Sequence, residues 1–259
     1  MGDRTGIEWT DATWNPVTGC TRVSTGCDHC YAATLAETRL RDPYLRRLPV
    51  VDTPKNRADP FAVRLWPERL AQPIRWGGSR MVFVNSMSDL FHHDVPDEFV
   101  LAIFEVMLTA DWHIYQVLTK RPTRAARFWK KYAPELDLQY VPDHIWIGAS
   151  IENQETSYRL NHLRDVAARV RFLSCEPLLG PLSLDLAGIR WLIAGGESGL
   201  GFRPMATEWA RSLRDQCVAA SVPFFFKQVG GLTPKTGGRL LDGREWNQLP
   251  LAMTAACAA

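Results

Sequence analysis

Six short apolar runs recur along the chain, and their spacing constrains the fold more than any other feature. They cover residues 81–85, 113–118, 145–149, 170–174, 189–194 and 222–226, and they start 32, 32, 25, 19 and 33 residues apart. Runs of this length, rich in Val, Ile and Phe, are typical of buried strands. Most of the intervals leave room for one helix between strands, which is the pattern of repeated βα units in a parallel sheet.

The segments between the runs predict four helices. One opens at Pro96, and the others cover residues 124–132, 154–168 and 207–220. A proline suits the first turn of a helix, and Thr207 is a good cap. A further strand around residues 7–14 would make seven. We therefore expect an α/β fold, a partial or complete parallel β/α barrel of six to seven units, with an open doubly wound sheet as the alternative.

The composition is that of a folded globular chain. It has 259 residues, of which 46% are hydrophobic and 22% are charged, with no repeat or linker, so a single domain over 1–259 is predicted. Residues 41–80 are rich in proline and basic side chains and predict an insertion after the first helix. No apolar run approaches the roughly 20 residues that cross a bilayer. The N-terminus has no secretory pattern, so we expect a cytoplasmic protein without a membrane partner.

Three of the six cysteines lie within eleven residues: Cys20, Cys27 and Cys30. A tight group of thiols indicates a soft metal. A [4Fe–4S] cluster held by three thiolates would leave one iron open to a ligand. A structural zinc ion would need a fourth ligand, such as His29 or Cys175. The spacing favours the cluster and leaves zinc as the alternative.

Polar side chains follow every predicted strand. Because β/α barrels place their chemistry at the carboxyl ends of the strands, these side chains should form one pocket facing the cysteines. Its acidic members would be costly to bury unless they are paired with basic ones. The candidate pocket residues are Ser86, Ser88, Asp89, Lys120, Ser150, Glu152, Glu176, Gly195, Gly196, Glu197 and Lys227.

The charge is unevenly distributed. Residues 39–80 contain ten basic and four acidic side chains, a net charge of 10 − 4 = +6, whereas the whole chain carries +2. A second basic group lies beside Phe128 and Trp129. Basic and aromatic side chains together hold phosphates and unstacked bases; the alternative is an ordinary solvated face. This pattern predicts a nucleic-acid partner bound through Arg46, Arg47, Arg121, Arg124, Arg127 and Lys131.

Longer motifs join these features. They are IEWTDATWNPVTGC (7–20), GCDHCYA (26–32), SMSDLF (86–91), LTKRP (118–122), GASIE (148–152), SCEPLL (174–179), GGESG (195–199) and FFKQ (225–228). With them the chain resembles, over about residues 6–250, the phage-associated three-cysteine-motif family of unknown function. That family is similar to radical S-adenosylmethionine (SAM) proteins. Six residues separate Cys20 from Cys27 here, against three in the common radical-SAM pattern.

The resemblance implies a [4Fe–4S] cluster on Cys20, Cys27 and Cys30, with SAM on the fourth iron and an external electron donor. Reductive cleavage of SAM would give a 5′-deoxyadenosyl radical. The residues expected around SAM are Ser86, Ser88 and Asp89 at its amine, Ser150 and Glu152 at the ribose, and Glu176, Gly195, Gly196 and Glu197 along the rest.

The predicted function is thus a radical SAM iron–sulfur enzyme that modifies or repairs a nucleic-acid base. Lys120, Glu176 and Lys227 are the catalytic candidates. The alternative is a non-catalytic protein, stapled by zinc or an iron–sulfur cluster, that binds nucleic acid or a protein partner.

Overall fold

A computed structural model describes residues 5–233 and 236–250 of the chain. Seven of its strands form one parallel sheet, curled into a half-barrel, in the order β1-β4-β5-β6-β7-β8-β9, and β2 pairs antiparallel with β3. The strands are β1 (Ala12–Trp14), β2 (Val17–Thr18), β3 (Arg64–Leu65), β4 (Met81–Val84), β5 (Ile114–Thr119), β6 (Ile145–Ser150), β7 (Arg171–Cys175), β8 (Trp191–Gly195) and β9 (Phe224–Gln228).

This sheet confirms the predicted partial β/α barrel. Its strands follow chain order without reversal, whereas a doubly wound sheet reverses at its switch point. Each of the six apolar runs lies within two residues of an observed strand. The N-terminal strand is shorter than predicted, because the side chains of Thr10 and Asp11 bond to the backbone of Met81 where the ladder would otherwise continue.

Helices connect the strands on one side of the sheet. They are α1 (Tyr31–Glu37), α2 (Arg41–Leu45), α3 (Pro54–Ala58), α4 (Gln72–Arg75), α5 (Asp97–Thr109), α6 (Pro122–Tyr132), α7 (Arg159–Arg164) and α8 (Thr207–Ala219). The single helix predicted over 154–168 was wrong in extent. A capping box between Asn153 and Thr156 closes a separate 3₁₀ turn (Gln154–Thr156), and only α7 follows it.

Alternate residues of the strands build two different cores. Ile147, Ala149 and Ile151 face the helices and join the larger core, which includes Ile103 of α5 and Leu213 of α8. Their neighbours on β6 face the inside of the half-barrel. This period of two is the geometry of a strand that is buried on both faces.

The inside of the half-barrel is closed at its amino end by aromatic side chains. Trp191 contacts Trp9, Trp146, Phe172 and Phe225 through ring pairs whose centroids are 5.8–6.2 Å apart. We call these five residues the aromatic floor.

Residues 41–80 pack against the start of the barrel through buried basic and aromatic groups. Arg64 is fully buried and donates to the backbone oxygens of Arg47, Ala62 and Asn56. The guanidinium groups of Arg47 and Arg69 lie 4.4 and 3.7 Å from the ring centroid of Trp66, which is a cation–π arrangement. Part of the positive charge counted in this segment is therefore structural.

We expect Trp191→Ala to lower the free energy of unfolding by about 3–5 kcal/mol, because it removes the centre of the aromatic floor and leaves a cavity. Trp112 is 42% exposed and provides a matched control. Trp112→Ala should cost less than about 1 kcal/mol. Urea denaturation followed by circular dichroism measures both. Equal losses in the two variants would contradict the packing described for Trp191.

Candidate functional site

Charged side chains lie at the carboxyl ends of the strands, on the inner face of the half-barrel. Lys120 follows β5 and pairs with Glu152, which follows β6. Glu176 follows β7 and pairs with Lys227 of β9, with 3.1 Å between Oε1 and Nζ. The sequence-predicted acidic and basic groups at these four strands therefore meet in pairs at one edge of the sheet.

The segment 19–30, here called the cysteine loop, begins next to residues 61–62 of the insertion. The amide of Cys20 donates to the oxygen of Phe61 at 3.0 Å, and the amide of Gly19 donates to the oxygen of Met87. Gly19 has a φ of +88°, and a Cβ there would lie 2.2 Å from the oxygen of Ala62. Only glycine allows this approach, so the sequence fixes where the loop leaves β2.

A first strand-end carboxylate, that of Asp89, is linked to the loop through Arg121. Nη1 of Arg121 donates to Asp89 Oδ2 at 2.9 Å and to the sulfur of Cys20 at 3.4 Å. The other terminal nitrogen of Arg121 donates to the backbone oxygen and the hydroxyl of Thr21. Arg121 thus joins the ends of β4 and β5 to the first cysteine.

Glu152 binds the middle of the loop. Its carboxylate is fully buried between Lys120 and Arg159, and the Arg159 contact is 2.9 Å long. It also accepts a hydrogen bond from the hydroxyl of Ser24 at 3.1 Å. Gly26 lies directly against it, since a Cβ on Gly26 would fall 2.4 Å from Glu152 Cγ. Burial alone would raise the pKa of Glu152, but Lys120 and Arg159 outweigh it and lower the pKa below its ordinary value.

Glu197, after β8, binds the end of the loop. It contacts Nδ1 of His29 at 2.9 Å and accepts from the amide and Nε of Arg203 at 2.8 and 2.9 Å. Arg203 also pairs with Asp28 at 3.5 Å. Burial opposes ionisation of Glu197, but the hydrogen bonds from Arg203 and His29 lower its pKa to about 2. Three carboxylates therefore tie the loop over the edge of the half-barrel.

Glu176 and Lys227 remain separate from this anchoring. Within the described residues, no hydrogen bond or ion pair joins either side chain to the cysteine loop, and Ser174 donates to Glu176 at 3.4 Å. Their side chains are 14% and 27% exposed. This ion pair is therefore accessible from the carboxyl edge of the half-barrel, which we call the mouth.

The predicted serines and glycines have local partners in the structure. Ser86 exchanges hydrogen bonds with Asn15, and Ser88 donates to the oxygen of Val17. Ser150 is buried. A Cβ on Gly195 would lie 2.7 Å from Glu176 Oε1, and one on Gly196 would lie 1.8 Å from the oxygen of Val229. The roles assigned to these residues at SAM stay predictions.

Sequence reasoning missed several residues of this edge. Arg159, Ser24, Thr21 and His92 contact the anchoring groups, yet no motif points to them. His29 was considered only as a metal ligand, whereas it bonds Glu197. A buried Glu152 requires a basic partner, and this requirement could have prompted a search for one. The sequence does not show that the partner is Arg159, which lies seven residues later at the start of α7.

The three thiols are free and partly exposed. Burial, with a contribution from Asp89, raises the pKa of the Cys20 thiol to about 11, although Arg121 opposes this change. A zinc ion with bonds of about 2.3 Å would bring its sulfurs within about 3.8 Å of one another. In the described part of the chain, the only three-residue group of candidate ligand atoms within 4.8 Å is His92, His93 and Asp94. The three cysteine sulfurs are therefore not all within 4.8 Å of one another.

Most of the predicted nucleic-acid contacts are engaged within the protein. Arg121 pairs with Asp89, Arg124 and Lys131 pair with Asp97, and Arg47 pairs with Glu68. Arg46 and Arg127 are exposed. Separately, no helix in the described ranges is long and apolar enough to cross a membrane.

A family model described as "Protein of unknown function (DUF5131)" matches residues 4–250. No curated protein matches the chain, and no solved structure matches it.

The low pKa of Glu197 predicts a pH-dependent contribution to stability. The unfolded carboxyl binds a proton near its ordinary pKa of 4.5, and the folded one does so only near 2. The stabilisation is therefore complete above about pH 4.5 and is lost as the pH falls towards 2. We expect the difference in free energy of unfolding between wild type and Glu197→Gln to shrink from about pH 5 to pH 2. A difference that stays constant over this range would contradict the anchoring role of Glu197.

Proposed function

We propose that this chain, which belongs to the DUF5131 family of proteins of unknown function, is a radical SAM-type enzyme. In this proposal Cys20, Cys27 and Cys30 hold a [4Fe–4S] cluster that also binds SAM. The observation that carries the proposal is the position of the three thiols. They lie on one loop that three carboxylates tie over the carboxyl edge of a parallel half-barrel.

The donor set supports a cluster. Three thiols from a single loop match iron–sulfur ligation, in which each thiolate binds a separate iron and the sulfurs need not converge. The cluster and SAM would supply, when bound, one-electron generation of a 5′-deoxyadenosyl radical that abstracts hydrogen from a substrate. Reduced thiols are kept in a reducing compartment, so we place the protein in the cytoplasm, where an external donor would provide the electron.

The chain's own residues have separable tasks in this proposal. Asp89, Glu152 and Glu197 hold the cysteine loop, and Arg121 keeps a positive charge beside Cys20. That charge favours the thiolate over the thiol once the cysteine binds metal, although burial favours the thiol. Lys120 is engaged by Glu152, so in this proposal it is an anchoring group.

Glu176 and Lys227 are the groups most available to a substrate. They present a carboxylate and an ammonium 3.1 Å apart at the mouth. A ligand that carries a hydrogen-bond donor next to an acceptor can bind both groups, with its donor on the Glu176 carboxylate and its acceptor on the Lys227 ammonium. The edge of a nucleobase offers that combination. We therefore propose that the reaction modifies a base of a nucleic acid, flipped out or single-stranded, with Arg46 and Arg127 as candidate phosphate contacts.

Anaerobic reconstitution with iron and sulfide tests the cluster. We expect about four irons per chain in the wild type, and an electron paramagnetic resonance signal of the reduced cluster that changes on adding SAM. Cys20→Ser, Cys27→Ser and Cys30→Ser should each abolish the SAM-dependent change. Cys257→Ser is the matched control, outside the described residues, and should leave iron content and signal unchanged.

Two results would reject this proposal. One is a protein that takes up a single zinc ion through the cysteines and forms no cluster. The other is a cluster whose spectrum is indifferent to SAM. Either result would favour the alternative of a non-catalytic, metal-stapled binding protein.

A further inference from the structure

Three consecutive residues after β4 place metal-binding atoms close together. One ligand atom each from His92, His93 and Asp94 lies within 4.8 Å of the others. The carboxylate of Asp94 contacts both rings: Oδ1 is 3.1 Å from His93 Nε2, and Oδ2 is 3.9 Å from His92 Nδ1. The two imidazoles are stacked, with their centroids 4.2 Å apart.

The ring of His92 is oriented by a hydrogen-bond network. The amide of Asp94 donates to His92 Nδ1 at 3.1 Å, so Nδ1 carries a lone pair and Nε2 carries the proton. Nε2 then donates to the hydroxyl of Thr21 at 2.8 Å, and that hydroxyl also accepts from Arg121 at 3.1 Å. Metal-binding histidines are usually held in this way, with one nitrogen donating to an outer partner and the lone pair of the other directed at the ion.

We propose that His92, His93 and Asp94 form a site for a divalent transition-metal ion such as Zn²⁺, Co²⁺ or Ni²⁺, separate from the cysteine loop. Two imidazoles and a carboxylate suit these borderline ions. Ligands about 2.0–2.1 Å from a tetrahedral ion lie roughly 3.3 Å apart. One ligand atom of each residue lies within 4.8 Å of the other two, so a small movement of the side chains would bring them to this spacing.

The remaining details fit a surface ion with one open position. His92 is fully buried, so its ring has little freedom, whereas the side chain of His93 is 70% exposed and gives access from solvent. The ion would bind the lone pair of His92 Nδ1 and would displace the hydrogen bond that the Asp94 amide donates to it. Because the Asp94 amide donates to Nδ1, this nitrogen is unprotonated, as that of a metal ligand must be.

This site would be coupled to the start of the cysteine loop. Thr21 follows Cys20 directly and is the outer partner of His92. An ion that holds His92 in place would therefore also hold Thr21. The inference does not depend on the iron–sulfur proposal, because none of the three ligands is a cysteine.

Cobalt titration of tag-free protein, without iron or sulfide, tests the inference. We expect one Co²⁺ per chain, with visible d–d absorption and without the near-ultraviolet band of thiolate-to-cobalt charge transfer. His93→Ala should weaken binding at least 10-fold. Thr21→Val, which removes the outer partner, should weaken it about 10-fold or more. His162→Ala is the control and should bind as wild type does, since His162 lies on α7 and pairs with Asp165 rather than with the proposed ligands.

Buried His92 is not the test residue, because His92→Ala could fail to fold. Asp94→Asn, a change of a partly exposed side chain, checks the carboxylate and should also weaken binding. Unchanged binding in His93→Ala, or no cobalt binding in wild type, would overturn the inference. So would a charge-transfer band that disappears in Cys27→Ser, because it would place the ion on the cysteine loop.

Discussion

The arrangement of the mouth depends on one fully buried carboxylate. Glu152 is held between Lys120 and Arg159 and reaches the cysteine loop through Ser24. Each of these charges would be costly to bury alone, and removing one partner of such a group leaves the others uncompensated. The ends of β5 and β6, α7 and the loop therefore have to come together in one arrangement. Gly26 completes it, because any larger residue would overlap Glu152.

Asp89 and Glu197 repeat this arrangement on either side. The polar strand ends consequently act first as anchors for the loop, and only secondly as a pocket. This changes how the strand-end residues are interpreted. Charged groups after parallel strands are commonly assigned to ligands, yet here three of the four carboxylates already have partners from the loop or its neighbours. The fourth, Glu176, pairs instead with Lys227 and has no contact with the loop among the described residues.

Much of the fold follows from the sequence, because a parallel strand that is buried on both faces consists mostly of consecutive apolar residues. The strand ends followed from the same runs, so the charged edge was also predictable. The partners within that edge were not. Arg159 lies on a helix that begins after a separate 3₁₀ turn. In residues 153–168 the Asn153–Thr156 capping box is the one sign of that break. The count of basic side chains also overstates the positive charge available to a partner. Arg64 is buried among backbone oxygens, and Arg124 is bound to Asp97. A count of basic residues does not tell which of them are engaged inside the fold.

The Glu176–Lys227 pair shows how a missing side chain can let two charged groups meet. These residues follow β7 and belong to β9, two strands apart, or about 9.6 Å at the usual strand spacing. β8 lies between them, and its inward-facing position at that level is Gly195. A Cβ there would lie 2.7 Å from Glu176 Oε1, so any other residue would force the carboxylate to move from its present position. With glycine at this position, the half-barrel combines a buried aromatic floor at its amino end with the partly exposed Glu176–Lys227 ion pair at its carboxyl end.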